Sequence, residues 1–134
     1  MLFRSKSDID EVISIKDRKG VLGYLLCAKE AQFRQLPEIG YKKDPSSYDL
    51  VIIGTPVWTW TMSSPIRTYL TKNRGRFKKL AFFCTMGGSG SEAAFKHMEK
   101  ICGIKPIATL ALTTKEVIDN KHLSKAKEFV NKLS

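Results

Sequence analysis

The chain has 134 residues, 43% of them hydrophobic and 27% charged, a balance that fits one globular domain (residues 1–134) able to bury its own core. Lys and Arg number 23 against 13 acids, a net charge of +10 that raises encounter rates with anionic partners and says nothing about fold. No apolar stretch approaches the roughly 20 residues that span a bilayer, the start MLFRSKSDID is not a secretory signal, and Cys27, Cys84 and Cys102 have neither metal-ligand nor redox spacing. The expectation is a cytoplasmic protein with reduced core thiols.

After a polar, basic opening, Ile9, Val12, Ile13 and Ile15 predict a short strand that ends at Lys16–Gly20. Val21 to Leu36 carries a helical pattern, weakened at Gly23 and stopped by Pro37, and a loop rich in Pro, Gly and Ser runs to Ser47. Leu50 to Ile53 is too short for a helix and rich in β-branched residues, so it predicts a buried strand. Gly54-Thr55-Pro56 ends it, and an aromatic-bearing loop follows. Ser64 suits the N-cap of the next helix and Pro65 its first position, where a missing N–H does no harm.

Asn73 to Lys79 reads as a turn, and Leu80 to Thr85 (LAFFCT) as a second buried strand running into the glycine-rich loop 86–91. Ser89 with Glu92 matches a capping box, so a helix is expected there, with Ala94, Met98 and Ile101 inward and Gly103 as C-cap. Pro106 to Leu112 predicts the last strand. Asn120 or Ser124 opens a final helix with Leu123, Ala126, Val130 and Leu133 inward. Four strands alternating with four helices imply an α/β fold: a parallel sheet with helices on both faces.

Two stretches, GTPVWTWTMSSPIRTYL and LAFFCTMGGSGSEAAFKHMEK, resemble the second and third cofactor loops of flavodoxin-like proteins, FMN-binding electron carriers and related oxidoreductases. The resemblance spans roughly Asp8 to Leu133. It implies a three-layer flavodoxin-like sheet, an aromatic ring against the isoalloxazine in the first loop, and backbone N–H groups along the ring's edge in the second. Thr55, Pro56, Trp58, Thr59 and Trp60 map to the first loop. Thr85, Met86, Gly87, Gly88, Ser89 and Gly90 map to the second.

The family's first strand, its phosphate-holding loop and the helix after it find no match, so an N-terminally truncated version is expected. The Ile9 strand then corresponds to the family's second. Losing two or three hydrogen bonds to a charged phosphate, at about 1.5–3 kcal/mol each, would weaken FMN binding by roughly a hundredfold to a millionfold. The uncovered sheet would expose an apolar patch, which predicts a homodimer or a partner protein over the missing strand and helix. The resemblance also implies a redox partner. Two readings follow: an FMN-associated electron-transfer protein with weakened binding, or a cofactor-free subunit acting in assembly or regulation.

Several residues carry a plainer alternative. Trp58 and Trp60 can stack on a flavin or pack into a rim or interface. Cys84 reads as a small core hydrophobe rather than a redox thiol. His97 and His122 lack acidic or thiol partners at useful spacing and are not assigned to catalysis. Arg74, Arg76, Lys78 and Lys79 follow a helix C-terminus, where cations are favoured in any case. No recognised motif accompanies the lysines, so nucleic-acid binding is not expected.

Overall fold

The computed structural model describes residues 8, 10–14 and 38–133. The helix expected over Val21–Leu36, Cys27, and parts of the first strand lie outside the described residues. The elements are β1 (Ile13–Ser14), β2 (Ile39–Gly40), a 3-10 turn (Pro45–Ser47), β3 (Val51–Trp58), β4 (Thr61–Met62), α1 (Ser64–Lys72), β5 (Leu80–Met86), α2 (Ser91–Cys102), β6 (Thr109–Thr113), α3 (Thr114–Ile118) and α4 (Leu123–Asn131).

The main sheet runs β4-β3-β5-β6. β3, β5 and β6 are parallel, with Ile53 opposite Phe82 and Cys84 opposite Ala111, while β4 folds back antiparallel on the end of β3. This is the α/β arrangement that the alternation of elements predicts. The first strand differs: its described part pairs antiparallel with β2 in a separate two-stranded ribbon instead of joining the parallel sheet. The Asp10 carboxylate explains the pairing. It accepts the backbone N–H groups of Lys42 (2.9 Å) and Lys43 (2.6 Å), tying the two segments side by side.

Alternate residues of β3 and β5 face opposite layers, as a pleated strand requires. Ile53, Leu80 and Phe82 are buried with Met62, Tyr69, Leu70 and Met98 beneath α1 and α2. Leu70, Leu80, Phe82 and Met98 are fully enclosed, each contributing about 1.5–3 kcal/mol by leaving water. On the other face Ala81 and Ala108 pack against Phe129 of α4, with Val130 and Leu133 beside it. That helix leaves part of the face uncovered: Ile52 is 44% and Phe83 37% exposed. The tip of the Phe83 ring covers Gly54, where an added Cβ would sit 2.1 Å from the ring's Cζ, so a larger residue would have to push the ring aside.

Four local expectations shift. Ser63, not Ser64, occupies the N-cap of α1, because Thr55 Oγ1 accepts the Ser63 N–H at 3.0 Å and holds that residue extended. The Ser89–Glu92 capping box does not form. Gly90 takes the N-cap position at φ 103 with no side-chain cap, and α2 starts at Ser91. The last strand is hydrogen-bonded as β6 only from Thr109, although Ile107 and Ala108 already bond to Leu80 and Phe82. A short helix that was not expected, α3, precedes the final one, and α4 starts at Leu123 after His122 rather than at Asn120 or Ser124; Leu123 is 58% exposed while Phe129 takes the buried position. Gly103 does close α2 in the left-handed region, at φ 75.

Candidate functional site

The aromatic loop is a β-hairpin. β3 continues through Gly54-Thr55-Pro56 to Trp58, because Thr55 and Pro56 pair in register with Cys84 and Thr85 of β5. Val57 then pairs with Met62 and Trp58 with Thr61, leaving Thr59 and Trp60 as a two-residue turn. Both have positive φ, 51° and 57°, the geometry of a type I′ turn. That turn normally takes Asn-Gly. A β-branched residue followed by an indole is strained there, and such strain concentrates at functional sites.

The turn projects Trp60 outward, 62% exposed, with Trp58 half-buried behind it. The glycine-rich loop closes on the same spot. A Cβ at Gly90 would meet Trp60 Cδ1 and Val57 Cγ1 at 3.0 Å, so the two loops touch at a position that a larger residue could not occupy. Gly87 and Gly88 are the reverse case: nothing lies within 4 Å of where a Cβ would be, and both are exposed. Their backbone is open to an approaching planar ligand. Thr85 and Ser89 are also exposed, and Met86 is half-buried.

The structure thus brings Trp58, Thr59 and Trp60 together with the 86–90 loop at the carboxyl ends of β3 and β5, the edge where open α/β sheets bind ligands. Pro56 is exposed one turn of the pleat earlier. Thr55 points inward instead. It is 3% exposed, and its hydroxyl lies 2.9 Å from the Pro56 carbonyl oxygen and 3.3 Å from Ser63 Oγ. Its place is beneath the hairpin, fastening it to α1. Thr114 Oγ1 donates to the Met86 carbonyl at 3.2 Å and so anchors the glycine-rich loop to α3.

One network went unseen in the sequence. Thr61 Oγ1, next to Trp60, accepts from Arg67 Nη2 at 2.6 Å and lies 2.9 Å from His97 Nδ1. His97 therefore has a partner, but a hydroxyl from a residue 36 positions away, which no spacing rule reveals. Cys84 is fully buried, and burial pushes its thiol up to about 11; burial pushes Cys102 up to about 12, slightly offset by the Arg74 guanidinium. Both stay protonated at neutral pH and behave as core hydrophobes. Among the described residues no three His, Cys, Asp or Glu side chains form a metal-binding group, and no helix is long and apolar enough to cross a membrane.

A flat, mainly apolar ring with polar edge atoms fits these residues. The Trp60 indole is exposed, and Gly87 and Gly88 leave open space where a side chain would otherwise stand. The chain matches a family model described as Flavodoxin over residues 28–132. No curated protein matches it. Among solved structures it is similar to a flavoprotein from Lactobacillus acidophilus NCFM in complex with FMN, at 26% identity and a TM-score of 0.68, covering 86% of this chain and 80% of that one. The apo-form of the flavoprotein from the same organism is 30% identical over 63% of this chain and 57% of that one, with a TM-score of 0.49. A Bacteroides eggerthii DSM 20697 protein shares the fold at 21% identity and a TM-score of 0.51, over 75% of this chain and 65% of that one. With the family model spanning most of its length, the chain belongs to the flavodoxin family.

Proposed function

We propose that this protein binds FMN between the Thr59–Trp60 turn and the 86–90 loop and serves in electron transfer. The observation that carries the proposal is the contact of Gly90 with Trp60, which makes one cradle of two loops 30 residues apart in sequence. When bound, FMN supplies the redox chemistry itself.

The chain's own residues do three things. Trp60, and Trp58 behind it, offer ring faces for offset stacking. Gly87 and Gly88 present backbone N–H groups to a ring edge without a side chain in the way. The Thr61–Arg67–His97 network and the Thr55–Ser63 contacts hold the hairpin at a fixed height against α1 and α2. No side chain is assigned to acid–base work.

The resemblance to an FMN complex at 26% identity supports FMN over other flavins. Titration of the purified protein with FMN, followed by quenching of flavin fluorescence, tests the reading. Saturable quenching is expected, weakened about fivefold to tenfold in Trp60→Ala if the indole stacks on the ring. No quenching at high micromolar concentration would favour the second reading, a cofactor-free subunit acting in assembly, for which the exposed Ile52 and Phe83 speak.

A further inference from the structure

The end of the sheet opposite the flavin cradle is strongly basic. Strands begin there and helices end, so the 73–79 connection, the carboxyl end of α2 and the 103–108 connection meet on one face. Hydrogen bonds fix their contact. Arg74 Nη1 donates to the carbonyls of Lys100 (3.0 Å) and Ile101 (2.6 Å), the Val51 N–H to that of Lys79 and the Ile107 N–H to that of Leu80. Residues 72–79 hold five cations and no acid. Part of this charge is matched: Asp44 pairs with Arg76 at 2.7 Å, Asp49 with Lys78 at 3.5 Å, and Arg74 offsets the half charges that end α1 and α2. Lys72, Lys79, Lys100 and Lys105 are exposed and make no ion pair among the described residues. Glu99, near the end of α2, can offset one of them, which leaves a surplus of about three. Residues 1–7 and 15–37 contain seven cations and two acids, so in sum they bring no excess of acid.

The surface around those lysines selects among anionic partners. Ile107 is 43% exposed two residues after Lys105, and its N–H donates to the residue that follows Lys79, so an apolar side chain stands among the cations. A protein interface combines such an apolar contact with charges at its rim. A single-stranded nucleic acid needs an aromatic platform, and the exposed aromatics, Trp60 and Phe83, lie elsewhere. Binding in a lipid surface takes the apolar face of an amphipathic helix, whereas this face is built from helix ends and connections. We propose that this end of the sheet docks an acidic segment of another protein, with Ile107, Lys79 and Lys105 at its centre and Lys72 and Lys100 extending it towards α1 and α2. β5 runs from this end to the cradle, about 20 Å of extended chain, so a partner held here leaves the flavin edge uncovered.

Fluorescence anisotropy with a labelled Glu-rich peptide carrying interspersed Leu, at about 0.15 M salt and with no flavin present, tests this. The inference stands apart from the flavin reading, so either can fail alone. Saturable binding is expected. The triple change Lys72→Gln, Lys79→Gln, Lys105→Gln should weaken it about tenfold, each exposed charge contributing a modest share. The triple change Lys115→Gln, Lys121→Gln, Lys127→Gln removes the same charge from the α3–α4 region and should weaken it less than about twofold. Both sets replace only exposed side chains, which leaves the fold intact. Equal weakening by the two sets would reduce the attraction to net charge and overturn the inference. So would tighter binding of a DNA duplex or of phosphatidylglycerol vesicles than of the peptide, or no saturable binding at all.

Discussion

At the scale of single residues, the Thr59–Trp60 turn sets stability against use. A left-handed backbone disfavours residues with a Cβ by roughly 1–2 kcal/mol each, more so for Thr and Trp than for Asn and Gly. The double change Thr59→Asn, Trp60→Gly should therefore raise unfolding stability by about 1–2 kcal/mol in urea denaturation while removing the exposed ring. An unchanged or lower stability would contradict the strain. Both tryptophans were visible in the sequence as an aromatic loop, but the hairpin was not, because neither residue carries the Asn-Gly signal by which such turns are read. Gly90 shows the converse. A Ser-x-x-Glu pattern pointed to a cap at Ser89, yet contact with Trp60 and Val57 fixes the backbone at φ 103 and delays the helix to Ser91.

At the scale of elements, α3 is held by a cap that the strand reading concealed. Thr113, the last residue of β6, accepts the Glu116 N–H at 3.1 Å, and Glu116 Oε2 accepts the Thr113 N–H at 2.8 Å. Lys125 of α4 pairs with the same carboxylate, so one side chain joins β6, α3 and α4. The Lys125 hydrogen bond first, and the Thr113 N–H second, lower the Glu116 carboxyl to about 2. A depressed carboxyl stabilises the fold above its unfolded value, near 4.5, and that contribution is lost as pH falls towards 2. Glu116→Gln should thus flatten the acid-unfolding curve between those values. An identical pH dependence in the variant would rule out this linkage. The strand cores at β3 and β5 were legible because short β-branched and aromatic runs are bounded by Gly and Pro. β6 was placed correctly but too early, since Pro106 cannot donate to the ladder.

At the scale of the whole molecule, parallel β3, β5 and β6 form a platform whose two faces are unequally covered. The α1–α2 face is closed by large side chains, and Phe82→Ala at its centre should lower stability by about 3–5 kcal/mol, measured by denaturant unfolding; a loss under about 1 kcal/mol would mean the core is not where it appears. The other face leaves Ile52 and Phe83 partly exposed. That a second copy or another protein covers it is a proposal, and sedimentation at micromolar concentration checks it: a dimer or complex supports it, and a stable lone subunit contradicts it. Parallel alternation was readable because each strand–helix unit is local. The β1–β2 ribbon was not, since it depends on Asp10 reaching the N–H groups of residues 42 and 43.

The proposed flavin edge needs the two loops to act together, and amide chemical-shift mapping with FMN reads that directly. Perturbations concentrated at residues 58–60 and 86–90, reproduced by riboflavin, are the predicted result. Shifts confined to residues outside these two loops, or none at all with millimolar FMN, would contradict it.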